Sequence, residues 1–272
     1  MAYERTVINE QLPKRSAVRI KTIALPVEHG GWGFLLEPMA LGLLLAPSPA
    51  GLYLALSAVA LFLSRQPLTI VFLNRHRDSP RTALAWRFAA LYLIVSLAAF
   101  SAATIFSEHS FILPLAIAAP LAAVQVAYDG SGRKRVLFAE IAGTVAISSL
   151  AAALALLGGW PRAASFALWA IMSARAVPSI FYVRGCLARL HRRATSSLPI
   201  WIVHAGALVL LAALTRAGLA PRLAFAAMMI LAVRAVVGFR KLRVTPKQLG
   251  FSEIGFGLIT VLAVVFGKLF GL

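Results

Sequence analysis

Nine ionisable side chains stand in sequence that is otherwise apolar. Glu28, His29 and Glu37 open a hydrophobic run in the stretch LPVEHGGWGFLLEP (25–38), and Arg65, Glu140, Arg175, His204, Arg234 and Glu253 interrupt later ones. In a bilayer such a group costs at least ~2.5 to 3.5 kcal/mol at the centre on insertion scales. The residue types allow three kinds of chemistry. Guanidinium forks match the oxygens of a phosphate or carboxylate headgroup. Carboxylates and His can pass protons. Opposite charges can also simply pair and fix how helices pack.

The setting that must position them is a membrane. Of 272 residues 60% are hydrophobic and 13% charged, with a mean hydropathy of +0.85, and a soluble fold has too little interior to hide that much apolar surface. The net charge of +18 would raise nucleic-acid binding if the basic residues were spread over a face. They sit instead in short clusters between apolar runs, the pattern of a multi-pass membrane protein. Membrane lipid is therefore the expected partner and nucleic acid is not. Cys186 is the sole cysteine, so neither an intrachain disulfide nor a cysteine-based metal site can form. Residues 1–24 carry five basic residues and no apolar core of signal-peptide length, and read as a cytosolic basic arm on anionic headgroups. Residues 25–272 read as a single transmembrane helical domain.

Apolar runs long enough to cross ~30 Å of hydrocarbon at 1.5 Å per residue fall at about 29–46, 51–74, 83–106, 111–128, 136–157, 161–183, 199–215, 221–239 and 250–270. The expected fold is an all-α polytopic bundle of about nine transmembrane helices. Its connections alternate between small, nearly uncharged ones and basic ones at 74–81, 129–135, 184–197 and 239–247. With the N-terminal arm and Arg87, the basic side holds 20 of the 27 Lys and Arg residues, the other side holds four, and three lie inside spans. That bias predicts a protein of the inner (plasma) membrane with its N-terminus in the cytosol and its C-terminus outside.

Orientation gives depth to the buried charges. Glu37, Arg65, Glu140, Arg175, Arg234 and Glu253 each fall four to ten residues from the basic end of a different span, ~6 to 15 Å below that boundary, and His204 falls at the same level. Three acids and three bases on six helices compensate one another only if the helices converge, so the expectation is one charged cavity open to the cytosol. Glycines three or four residues away on the same helix face, Gly33 for Glu37, Gly143 for Glu140, and Gly250 and Gly257 for Glu253, place the acids toward packed protein. Spans two and six echo each other: Ser64-Arg65-Gln66-Pro67 with a basic exit, then Ser173 to Pro178 with another. Proline removes a helical hydrogen bond, so both segments are expected to line the cavity.

Glu28-His29-Gly30-Gly31-Trp32 with Glu37-Pro38, the Arg65-Gln66-Pro67 step, Tyr128-Asp129 ahead of Arg133-Lys134-Arg135, and Arg175 to Pro178 together resemble the YwiC-like family of bacterial integral membrane proteins, over nearly the whole chain. A more distant resemblance is to UbiA-type prenyltransferases, whose nine spans surround a cavity open to the cytosol. It implies a UbiA-like bundle, an isoprenoid or other anionic small molecule as ligand, and a prenyltransferase-like reaction. It also implies aspartate-rich loops after spans two and six that hold Mg²⁺. The exits here are Asn74-Arg75-His76-Arg77-Asp78 and Arg184 to Arg193; the first has one Asp and the second no carboxylate. Tyr128 with Arg133 and Lys134 is similar to a span-four feature of that superfamily, and Tyr182 lies at the sixth-span exit. Loss of an allylic diphosphate leaving group commonly needs metal bridging carboxylate and phosphate oxygens. With Asp78 and Asp129 as the acids of the cytosolic loops, binding by Arg and Lys without metal is the expectation. The ligand-binding set is thus Glu28, His29, Glu37, Arg65, Asn74, Asp78, Tyr128, Asp129, Arg133, Lys134, Glu140, Arg175, Tyr182, His204, Arg234 and Glu253. Two other readings stay open: a small proton-coupled transporter relaying through Glu37, Glu140 or Glu253, and a membrane protein whose charges serve folding alone. No residue pattern names a cofactor.

Overall fold

The computed structural model describes residues 20–26, 29–75, 79–133, 136–240 and 245–272, the side chains of His29, Gly30 and Arg240 aside. Among the described residues ten helices follow in chain order: α1 (Lys21–Ala24), α2 (His29–Leu45), α3 (Pro49–Leu73), α4 (Pro80–Ile105), α5 (Ile112–Gly130), α6 (Leu137–Leu157), α7 (Arg162–Leu190), α8 (Leu198–Arg216), α9 (Arg222–Arg240) and α10 (Pro246–Phe270). No strand occurs among the described residues. From α3 onward eight helices are long and apolar enough to cross a membrane, and Gly31–Leu45 of α2 is a shorter apolar helix. The chain is a polytopic all-α bundle.

Local chemistry sets the boundaries. Ser48 and Ser79 accept from the N–H groups of Gly51 and Thr82, each ahead of a proline at the first helical position, where the missing donor does no harm. Thr245 and Gln248 form a reciprocal capping box that starts α10 ahead of the expected span. At the far end of α6 the chain turns through Gly159 at φ +79, a left-handed conformation that suits glycine. With the α10 start, two further boundaries differ from expectation because polar termini extend helices past the apolar run, and one short helix is added. Helix α7 continues seven residues further, so Arg184 and Arg189 are helical and not in a loop; α5 carries Asp129 in its last turn; and Lys21–Ala24 forms the short α1.

Helix α6 is central, buried over most of its length, and packs against α2, α5 and α7. On one side α7, α8, α9, α10 and α2 enclose a core around Leu168, Met172, Leu211, Met228 and Val264. On the other, α2, α3 and α6 close over Leu35, Leu54, Phe62 and Leu154. Helix α4 packs on α3 and exposes Leu91, Ile94, Leu97 and Ile105, a face suited to lipid. Helix α1 drops Ile23 between α3 and α4 against Ile70, Val71 and Ala85.

Candidate functional site

Four of the six expected charges meet. Helices α2, α7, α9 and α10 bring Glu37, Arg175, Arg234 and Glu253 into one network near the basic end of the bundle. Arg175, 1% exposed, is its centre. Its Nε lies 2.8 Å from Glu37 Oε2, though the N–H does not align as a hydrogen bond. Its Nη1 donates to Ser179 Oγ at 2.9 Å and stands 3.6 Å from Glu253 Oε2, and its Nη2 donates to the Glu253 carbonyl at 2.6 Å. Nη1 and Nη2 thus donate hydrogen bonds, while Nε is held by its ion pair with Glu37 alone.

Two glycines make the approach feasible. A Cβ on Gly257, one turn beyond Glu253, would overlap the Glu37 carboxylate and come within 2.9 Å of Arg175 Nη2; its absence opens the Glu253 carbonyl to a guanidinium from α7. A Cβ on Gly238 of α9 would overlap the Tyr182 hydroxyl. Arg234 and Gly238 lie four residues apart and so share a face, and the Tyr182 ring lies along that face.

Arg234 is bound differently. Its Nη1 donates to Glu253 Oε1, and the rings of Tyr182 and Phe256 cover it at 4.1 and 4.6 Å from the guanidinium carbon, a favourable arrangement for a desolvated cation. Its Nε and Nη2 are buried and have no hydrogen-bond partner among the described residues. Those two N–H groups form the parallel fork that an oxyanion can accept with two oxygens. His204 of α8 is 3% exposed. Its Nδ1 lies 2.7 Å from the Ile200 carbonyl, while Nε2 is buried and without partner among the described residues. The first contact places a proton on Nδ1, so Nε2 presents a lone pair. His204 and Arg234 each lie twelve residues from the turn that joins α8 to α9, which sets them at the same depth in this packed pair.

The single six-helix layer is corrected. Arg65 of α3 reaches Asp129 of α5, both Nε and Nη2 donating to Oδ2 at 2.9 and 2.7 Å, while Gln125 Nε2 holds Oδ1 at 2.7 Å. Glu140 of α6 pairs with Arg184 of α7 at 2.8 Å, where both side chains remain partly exposed. The acids thus divide among three groups because helix adjacency decides which base each can reach: α5 adjoins α3, and the basic ends of α6 and α7 adjoin each other. Asp129 is buried, not a free loop acid. The two echoing segments likewise serve different groups, Arg65 with α5 and Arg175 with α2 and α10. Gly250 meets nothing within 4 Å and Gly143 packs on Gln125, so of the glycines expected to flank acids Gly257 is the one that seats a neighbour's charge.

Residues 25–155 match the family model described as YwiC-like protein. This part of the chain is similar to that family. It runs from α2 through most of α6, so the resemblance expected over nearly the whole chain is shown over this range. It takes in Glu37, Arg65, Asp129 and Glu140; Arg175, Arg234 and Glu253 lie beyond it. No curated protein and no solved structure matches the chain, and the UbiA-type likeness rests on the sequence features alone.

The remaining expected residues take simpler places. Asn74 caps α3, its side-chain amide donating to the Ile70 carbonyl at 2.9 Å. Tyr128 is half-buried, with its carbonyl accepting the Arg133 N–H at 3.0 Å, and Arg133 is exposed. His29 begins α2. Glu28, Asp78 and Lys134 lie outside the described residues. No group of three or more His, Cys, Asp or Glu side chains that could hold a metal ion occurs among the described residues. The Mg²⁺ clamp implied by the UbiA-type likeness does not fit these residues: Asp129 is already bound by Arg65 and Gln125, and the α7 exit has no carboxylate. Sequence reasoning missed Gln125, Ser179, Phe256 and Gly238. Ser179 and Gln125 sit four residues from Arg175 and Asp129, a same-face spacing that could have flagged them; Phe256 and Gly238 carried no such signal.

Proposed function

We propose that this multi-pass membrane protein binds the anionic headgroup of an amphiphile, such as an isoprenoid phosphate or another acidic lipid, at the Nε–Nη2 fork of Arg234 in the basic half of the bundle. The observation that carries the reading is the buried Arg234 fork, neither of whose nitrogens has a partner among the described residues, in contrast to Arg65, whose fork ends on Asp129, and Arg175, whose fork pairs with Glu37 and donates to the Glu253 carbonyl. Arg65 and Arg175 therefore act as supports. With the N-terminus in the cytosol of a plasma-membrane protein and the C-terminus outside, as the charge bias argues, the headgroup enters from the cytosolic side. The UbiA-type resemblance of the sequence supports an isoprenoid phosphate as the ligand class. Positive charge here comes from arginine, and no transfer reaction is assigned.

The test is mass spectrometry of lipids extracted from purified protein against the bulk membrane extract. The wild type should carry an enriched anionic amphiphile, Arg234→Gln should lose it, and Arg65→Lys should keep it. Equal enrichment in Arg234→Gln, or none in the wild type, overturns the reading. Flux driven by a pH gradient in proteoliposomes, with no amphiphile retained, would point to a transporter instead.

A further inference from the structure

The quartet of Glu37, Arg175, Arg234 and Glu253 holds two carboxylates and two guanidiniums and sums to zero. An anion seated on Arg234 leaves the buried site with one uncompensated negative charge, and an uncompensated charge in a low-dielectric interior is strongly unfavourable. A proton arriving with the anion removes that penalty. The buried groups that could take it are limited. Glu37 and Glu253 are held by Arg175 and Arg234, and accepting a proton would neutralise the carboxylate and weaken the pairs that position the fork.

His204 has an open lone pair at Nε2. Helix α8 packs against α7 and α9. From α9, Arg234 stands at the same depth, paired with Glu253 of α10. From α7 the titratable groups on that side are Tyr182 and Cys186, packed with Ile200 of α8, while Arg175 pairs with Glu37 and Glu253 and Arg189 donates to the Phe239 carbonyl. An anion on the fork adds a negative charge to a quartet that is already balanced, and so favours a positive charge on His204 at the same depth. The two binding events must then assist each other equally, because coupling between sites is reciprocal.

Resting on the anion-binding reading, we infer that His204 takes up one proton when an anion binds Arg234, so that the protein binds anionic amphiphile and proton together. The probe is decyl sulfonate, whose headgroup stays anionic across the working pH range, titrated calorimetrically into wild-type protein in maltoside micelles. Paired buffers of different ionisation enthalpy report proton uptake directly. Between the pH at which free His204 loses its proton and the higher pH at which anion-bound His204 loses it, the wild type should take up close to one proton per sulfonate, with affinity falling about tenfold per pH unit. His204→Gln should bind without uptake and with a flat pH profile. Sulfonate binding with no proton uptake in the wild type overturns this inference and leaves the anion site standing, as does uptake that persists in His204→Gln. Failure of the wild type to bind, or equal binding by Arg234→Gln, overturns both. The wild-type buffer comparison needs no variant, so a poorly folding His204→Gln does not spoil the test.

Discussion

The Arg65 and Arg175 groups use the same chemistry at the same end of the bundle and differ in what surrounds them. Arg65 closes a local pair: both donors of its fork end on one oxygen of Asp129, Gln125 holds the other oxygen, and the guanidinium stays about one-third exposed. Arg175 is enclosed, and its two carboxylates come from helices on either side. The first arrangement ties α3 to α5 with water as a fallback. The second has no fallback, and it passes its surplus acid to a further cation, Arg234, whose fork is left over. A ligand-accepting group thus arises where the chain of pairs ends, not where the charge is most buried.

Four substitutions separate the two regions, in falling order of effect. Arg175→Met should be the most damaging, since it leaves Glu37 and Glu253 buried with one cation between them, and breaking a buried pair costs about 3–5 kcal/mol; thermal unfolding in detergent should show a collapsed transition or loss of folded protein. Gly257→Ala pushes a methyl group into the Glu37 carboxylate and should destabilise by about 1–3 kcal/mol, the range for overpacking, with Glu37→Gln failing to relieve it because the amide has the same volume. Asp129→Asn keeps an acceptor for Arg65, which can also turn to water, so a loss of about 1 kcal/mol is expected; a loss equal to that of Arg175→Met would erase the distinction. Arg184→Gln removes a partly exposed partner of Glu140 and should shift stability by no more than about 1 kcal/mol, shrinking further in high salt.

Much of the fold was legible from one dimension because lipid imposes two strict rules. Every spanning segment must be helical and of a given length, so the nine apolar runs were found with ends close to those of α2 through α10. Where ends moved, at Arg184, Asp129 and Lys247, capping and side-chain pairing had extended helices beyond the apolar run. The depth of the buried charges followed from the same counting, and four of them do meet.

Their partners were not legible. Asp129 looked like a loop acid until the end of α5 placed it beside Arg65, and Glu140 looked like part of a common layer until α7 ran on to offer Arg184. Hydropathy and spacing determined by themselves that this protein is a multi-pass helical bundle and which ionisable groups lie within it, since burial in lipid depends on composition and length. Only the tertiary structure decided which groups pair and that Arg234 keeps an unused fork. Pairing depends on helix adjacency and on small residues such as Gly238 and Gly257 that let side chains from other helices come close, and neither is written in the order of the residues along one helix.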